Sequence, residues 1–320
     1  MVDPARLAKG SWRPDGDPGN GPTIAVVAAF DDVLGSGRPD RIDVLVPDGA
    51  SVEAALRRTT VLGIGAHPDD LELGGVWGVV SCAGRVDRWF TGVTCTDGAG
   101  SARGATTAGI DDAELVARRR DEQRAAARVG GYGLQVQLGH RSADVRDPES
   151  REVLVAELAR IIDAARPSVI VGHDPLDRHA THAAVALATV DACRSLPPAS
   201  RPERLLGVEG WRSLDWLPPA DRVRLDVSGH DRLVQALLDC FPSQLEGKRY
   251  DRAAVGRRHG NATFDDQTTL DVAEQVGLAV DLSPLLADDS VGVEAFLADL
   301  LERTRVESMA TLRSVLGTVG

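Results

Sequence analysis

The stretch Thr60-Val61-Leu62-Gly63-Ile64-Gly65-Ala66-His67-Pro68-Asp69-Asp70 decides the fold. Its first half is an aliphatic, β-branched run closed by glycine, the pattern of a buried strand. Its second half puts a histidine and two carboxylates within four positions, where a parallel sheet opens its ligand crevice. His67 and Asp70 are spaced i, i+3, so a helix starting here sets both side chains on one side of its first turn. One cation could take an imidazole nitrogen and a carboxylate oxygen there, with Asp69 left over. Ordinary capping explains Pro68 and one acid, but it needs neither His67 nor the second aspartate.

Outward from this stretch the chain alternates strand, loop and helix. Leu71–Ala83 reads as a helix carrying Gly74, Gly75 and Gly78, which let its backbone approach the sheet. Val86–Thr94 is the next strand and runs into Thr96-Asp97-Gly98. Residues 99–110 form a long polar loop. Asp111–Val129 is a helix capped by aspartates and stopped by Gly130-Gly131. Leu134–Leu138 is a strand, Glu152–Ala165 a helix, Ser168–Gly172 a strand and Ala183–Cys193 a helix. A strand over Leu205–Trp211 and a helix over Asp231–Cys240 follow, then tail helices near Val293–Arg303 and Glu307–Leu316. This order predicts an α/β fold, a Rossmann-like three-layer α/β/α sandwich with a mostly parallel sheet and additions at both ends. The expected division is 1–58 as an N-terminal extension with an added hairpin or edge (strands Thr23–Phe30 and Ile42–Val46), 59–265 as the catalytic domain, and 266–320 as a helical extension packed on it.

With 320 residues, 43% of them hydrophobic, the chain can bury a full core. A net charge of −12 argues against a nucleic-acid partner. No apolar run approaches the roughly 18–20 residues that span a membrane, and the N-terminus lacks a secretory layout; a cytoplasmic location is expected. Cys82, Cys95, Cys193 and Cys240 form no C-x-x-C pair, so buried free thiols are expected.

Five of the seven histidines, His67, His140, His173, His179 and His182, lie just after expected strands, and in a parallel sheet those positions share the ligand-binding edge. His179 and His182 repeat the i, i+3 spacing. Two histidines and one carboxylate leave a tetrahedral cation one open position, as in catalytic zinc, and water bound there drops from a pKa of 15.7 to about 7. Asp69 is placed to act as general base. Whichever histidine of the pair is not a ligand can steady an oxyanion, with Asp177 orienting that imidazole and keeping it protonated.

These residues resemble the zinc-dependent deacetylases of the PIG-L/LmbE type, which remove N-acetyl groups from N-acetylglucosamine-like sugars. The A-H-P-D-D motif stands at Ala66–Asp70, T-D-G at Thr96–Gly98, R-x-x-E at Arg119 and Glu122, D-x-H-x-x-H at Asp177, His179 and His182, and S-Q at Ser243-Gln244. The resemblance spans about residues 60–264. It implies one Zn2+ per chain, or another divalent metal, on His67, Asp70 and His182. It also implies Asp69 as base, His179 as acid or oxyanion stabiliser, and Arg119 on the sugar hydroxyls. Asp97, Asp144 and His140 are expected as further substrate contacts, although His140 and His173 also read as structural hydrogen-bonders. Two departures stand out. Ala180-Thr181 replaces the family's Pro-Asp, and Asp144 falls two places later than the family's substrate-contacting aspartate. Trp77, Trp89, Trp211 and Trp216 read as packing.

The expected activity is therefore N-deacetylation of a small amino-sugar conjugate, the protein being a monomer or a homo-oligomer. An amidase cleaving a larger acyl group, as from a thiol S-conjugate, keeps the same metal. A catalytically silent, metal-holding sugar-binding protein is the rival from another class.

Overall fold

Successive residues of each inner strand feed two separate cores. Leu62 and Ile64 face one, with Val93, Cys95, Ile170 and Leu205; Val61 faces the other, with Phe90, Val171 and Leu206. Alternation with both faces buried is what a sheet between two helical layers requires. In the computed structural model the described residues are Phe30, Val33, 40–100, 103–264 and 268–317. The expected strand Thr23–Phe30 lies outside them, save for Phe30.

The strands are β1 (Asp43–Leu45), β2 (Val61–Gly65), β3 (Phe90–Thr96), β4 (Leu134–His140), β5 (Val169–His173), β6 (Arg204–Val208), β7 (Arg222–Asp226) and β8 (Val276–Asp281). The helices are α1 (Val52–Arg57), α2 (Asp70–Leu73), α3 (Val76–Val80), α4 (Asp112–Val129), α5 (Ser142–Arg146), α6 (Pro148–Ala165), α7 (Ala180–Ser195), α8 (Asp231–Leu238), α9 (Pro242–Leu245), α10 (Tyr250–Thr263), α11 (Pro284–Ala287) and α12 (Val293–Leu316). Among the described residues the strands form one sheet in the order β1-β4-β3-β2-β5-β6-β8-β7. β4, β3, β2, β5 and β6 run parallel, and β1 and β8 are antiparallel to their neighbours. The fold is the expected Rossmann-like α/β sandwich. From β2 the chain builds outward through β3 and β4, then returns to lay β5 on the other side of β2. The C-terminal ends of β2 and β5 thus flank the point where strand order reverses, and a crevice opens there.

One helix layer packs Leu154, Leu158 and Ile161 of α6 and Val185 and Ala188 of α7 on the sheet; the other packs Val79 of α3 and Val234 and Leu237 of α8. Each leucine, isoleucine or valine among them contributes roughly 1.5–3 kcal/mol on burial.

Three expectations change. The helix over Leu71–Ala83 is two, α2 and α3, because Gly74-Gly75 is a poor helix interior and Gly75 turns to φ −86°, ψ 5°. A Cβ on Gly78 would lie 2.7 Å from the buried Phe90 ring, so this glycine seats α3 on the sheet. The tail helices are a single α12, since Thr304-Arg305-Val306 contains no glycine or proline to break it. The boundary at 265 also fails: β8 pairs with β6 on one side and β7 on the other, inside the sheet. All four cysteines are buried and free. No helix among the described residues is long and apolar enough to cross a membrane.

Candidate metal centre and active site

The turn after β2 carries the centre. The His67 backbone N–H donates to Asp70 Oδ2 at 2.7 Å, closing the turn into α2. Asp69 then takes φ 92°, a left-handed conformation that a non-glycine residue holds only where its surroundings impose it. Those surroundings are visible. The Asp69 N–H donates to Gln123 Oε1 on α4 at 3.3 Å, its carbonyl accepts from Leu73 N at 2.9 Å, and Gln123 Nε2 donates to Glu72 at 2.8 Å. Tyr132 adds a second donor to Glu72 at 2.6 Å. Burial raises the Glu72 carboxyl to about 7 against these two hydrogen bonds.

At the tip of this turn His67 and both carboxylate oxygens of Asp70 meet His182 at the start of α7. His67 Nδ1 lies 3.2 Å from His182 Nε2 and 3.3 Å from Asp70 Oδ2, and His182 Nε2 lies 3.4 Å from Asp70 Oδ1. Ligands about 2.0–2.1 Å from a tetrahedral ion sit about 3.3 Å from one another, so each of these pairs is spaced as two ligands of one ion could be, although the two Asp70 distances run to different oxygens. The donor set fits the cation that the sequence implies.

Asp177 stands behind His182. Its Oδ2 accepts from His182 Nδ1 at 3.0 Å and from Gly210 N at 2.8 Å, while Oδ1 accepts from His179 N at 2.9 Å. Burial works against this carboxylate's charge, but the His182 contact and the two backbone donors outweigh it and hold the pKa at about 2. The His182 Nδ1–H therefore points at a permanent anion, and the Nε2 lone pair faces His67 and Asp70. The expectation that Asp177 orients the His179 imidazole is corrected: it binds only the backbone of His179.

His179 stacks on Trp211, with ring centroids 5.7 Å apart, and its Nδ1 has no partner among the described residues. Burial, then the charges of His182 and His67, lower its pKa to about 4. That shift favours the neutral ring over the expected imidazolium. Trp211 is 41% exposed and lines the cavity, so it is not the packing residue that the sequence suggests.

The adjacent carboxylates part company. Burial and the charges of Asp70 and Glu72 hold Asp69 well above the usual range. Asp70 is buried too, but His182 and His173 outweigh that and hold it well below. Such a split between neighbours marks one group that keeps its charge and one that can carry a proton. His173, read as a structural hydrogen-bonder, comes within 3.2 Å of Asp70, yet its Nε2 accepts the Ala66 N–H at 2.9 Å. A backbone N–H can only donate, so that lone pair is engaged. Among the described residues two sets of three donors lie close enough to share one ion, His67 with His179 and His182, and Asp70 with His173 and His182; His182 belongs to both, and the expected His67, Asp70 and His182 are divided between them.

The other expected contacts fare differently. Arg119 is buried beside Asp69 and donates to the Gly98 carbonyl, away from the cavity wall. Asp97 accepts from Ala99 N at 3.0 Å in a local turn on the β3 side. His140 is corrected to a structural role, bonded to Glu157 at 2.6 Å and Arg41 at 3.1 Å behind the sheet edge. Asp144 is corrected too, being an exposed residue of α5. Glu122 accepts from Ser243 N and Oγ at 2.9 and 2.6 Å, and Gln244 donates to the Pro68 carbonyl. The R-x-x-E and S-Q motifs thus buttress the turn that carries Asp69. Sequence reading missed Gln123 and Gly210; their only signal is position, since neither stands out by residue type.

A buried acid in a left-handed turn, beside histidine and aspartate side chains that could hold a metal ion, stands at the crevice of a Rossmann-like sheet. The family model described as PIG-L, GlcNAc-PI de-N-acetylase, matches residues 62–193. The uncharacterized deacetylase YaiS of Escherichia coli (strain K12) is 32% identical over 158 residues, covering 48% of this chain and 77% of that protein. The chain belongs to the PIG-L family of deacetylases. Solved structures share the fold. The N,N'-diacetylchitobiose deacetylase of Pyrococcus horikoshii has a TM-score of 0.56 at 19% identity, over 86% of this chain and 99% of that one. The conserved protein TT1542 of Thermus thermophilus has a TM-score of 0.53 at 22% identity, over 73% of this chain and all of that one.

Proposed function

We propose that this chain is a zinc-dependent N-deacetylase that hydrolyses the amide of an N-acetylated amino sugar or its conjugate. The observation that carries the reading is the meeting of His67 Nδ1, His182 Nε2 and the Asp70 carboxylate, with the two nitrogens 3.2 Å apart and each 3.3–3.4 Å from one Asp70 oxygen. These residues would hold the cation, which when bound polarises a carbonyl and makes water a nucleophile near neutral pH. Asp69, held beside these residues, accepts the proton from the attacking water on a carboxylate oxygen and returns it to the amide nitrogen as the carbon–nitrogen bond breaks. His179, neutral and fixed against Trp211, donates a ring N–H to the amide oxygen as charge gathers there. Asp177 holds the His182 ring in the tautomer that leaves Nε2 free. The P. horikoshii relative acts on a diacetylated sugar by its name, which agrees with an amino-sugar substrate here.

The test pairs two neighbours. Asp69→Asn is expected to keep its metal and lose about 10²–10⁴ in kcat, whereas Asp70→Asn loses the metal itself. Metal analysis and release of free amine from N-acetylglucosamine conjugates read both. A wild-type rate in Asp69→Asn removes the proposed base.

A further inference from the structure

The ring of His179 makes no hydrogen bond among the described residues. Asp177 reaches only its backbone N–H, and the other oxygen of that acid is spent on His182 Nδ1 and Gly210 N. Thr181, which stands where the family's motif carries an acid, accepts from Arg146 at 3.1 Å. His179 Nδ1 is buried without a partner among these residues. A histidine that must aim one N–H needs its ring plane held to within about 10–20°, and here no carboxylate or carbonyl supplies that hold.

Three rings surround the imidazole instead. His67 meets it edge-on with centroids 4.8 Å apart, and His182 is tilted to it at 4.6 Å. Of the three only Trp211 lies nearly parallel, 16° from the imidazole plane with centroids 5.7 Å apart. Such offset stacking is a favoured arrangement of aromatic faces, and it depends on the plane of each ring. His67 and His182 turn their own nitrogens to one another, so Trp211 is the one of the three that can serve the imidazole alone.

Trp211 is braced in turn, from outside the residues 62–193 that the family model matches. It stands on the loop after β6 and lines the cavity of about 370 Å³ that opens from the metal centre. Arg257 on α10 donates to the carbonyls on either side of it, Gly210 at 2.6 Å and Arg212 at 2.8 Å, and to that of Trp211 at 3.4 Å. The Lys248 ammonium stands 5.0 Å from the indole centroid, within cation–π range, and Tyr250 packs edge-to-face with the indole at 6.1 Å. One loop thus serves both histidines. The Gly210 N–H anchors the acid behind His182, and the next residue backs His179.

We infer that Trp211 is a positioning residue of this site, holding the plane of the His179 imidazole by stacking where no acid orients it; this rests on the hydrolase reading above. In this role Trp211 touches no reacting atom. It acts through His179, so its effect on rate disappears when the imidazole is removed.

The zinc-loaded full chain and its variants are assayed for release of free amine from N-acetylglucosamine and N,N'-diacetylchitobiose. Trp211→Ala is expected to lower kcat about 10–100-fold with KM changed less than about twofold. Trp211→Phe, which keeps a stacking face, recovers most of that loss. In a His179→Ala background, Trp211→Ala costs less than about twofold more, because residues that act as a unit are not additive. Chelator competition reads the metal separately: Trp211→Ala holds zinc within about threefold of wild type, short of the roughly 10–100-fold lost when the support of a ligand goes. Trp211→Leu repeats the series if the alanine variant fails to fold. Losses that multiply in the double variant, a change confined to KM, or a zinc affinity that falls along with kcat overturns the positioning role and leaves the hydrolase reading standing. A wild-type rate in His179→Ala removes that imidazole from the reaction and this role with it. Cleavage of neither sugar by the wild-type chain overturns both readings.

Discussion

Gln123 grips Asp69 by its backbone: Oε1 accepts the Asp69 N–H at 3.3 Å while Nε2 donates to Glu72 at 2.8 Å. One amide side chain thus ties the left-handed residue of the turn to a carboxylate anchored by Tyr132. Gln123→Leu frees that turn. We expect kcat to fall about 10–100-fold with KM nearly unchanged, since misplacement of a reacting group costs alignment more than binding. Leaving Glu72 short of a donor also costs about 1–3 kcal/mol of stability. Steady-state kinetics beside a thermal melt separates the two effects; a raised KM at constant kcat would contradict the assigned role.

Asp177 never touches the cation seat, yet it fixes the His182 tautomer. Asp177→Ala is expected to weaken metal binding about 10–100-fold. Competition with a chromogenic chelator measures this directly, and an unchanged affinity would place the control of His182 elsewhere.

Asp174 carries a pH signature of its own. Burial raises its carboxyl to about 7, against a hydrogen bond from Leu176 N. Its Oδ2 has no partner among the described residues. Between about pH 4 and 7 the folded chain therefore binds a proton that the unfolded chain has released, so this residue's contribution to stability falls as pH rises through that window. Asp174→Asn should remove the slope and stabilise the protein at pH 8 by on the order of 1–3 kcal/mol relative to wild type. Urea unfolding at pH 5 and pH 8 decides, and parallel losses at both values would refute it.

Gly78→Ala tests the seat of α3. Helix propensity favours alanine by about 1 kcal/mol, but its Cβ would stand 2.7 Å from Phe90, whose ring is pinned 4.6 Å from that of Tyr132. Overpacking of about 1–3 kcal/mol is expected to prevail, giving a net loss. A variant more stable than wild type would show that Phe90 can yield.

The alternating strand pattern, the turn at Pro68 and the motif order were legible in the sequence because each depends on neighbours a few bonds apart. Gly74-Gly75 misled at the level of extent and not of type: the residues are helical on both sides of the pair. β8 escaped because an interior strand of an added sheet edge looks locally like any short apolar run, and only pairing with β6 and β7 defines it.

By itself the sequence determined the α/β class, the strand that delivers His67 and Asp70, and the spacing that brings their side chains to one side of the turn. Tertiary structure alone decided the rest. His67 and His182 are 115 positions apart, and their nitrogens meet at 3.2 Å only because β2 and β5 lie side by side. Asp177 chose the His182 ring over that of His179 through the fold of the loop to Gly210. The cavity, too, is a sum over segments near residues 73, 225, 254 and 278. No one of them encodes a cavity, because empty space is a property of how surfaces fail to meet.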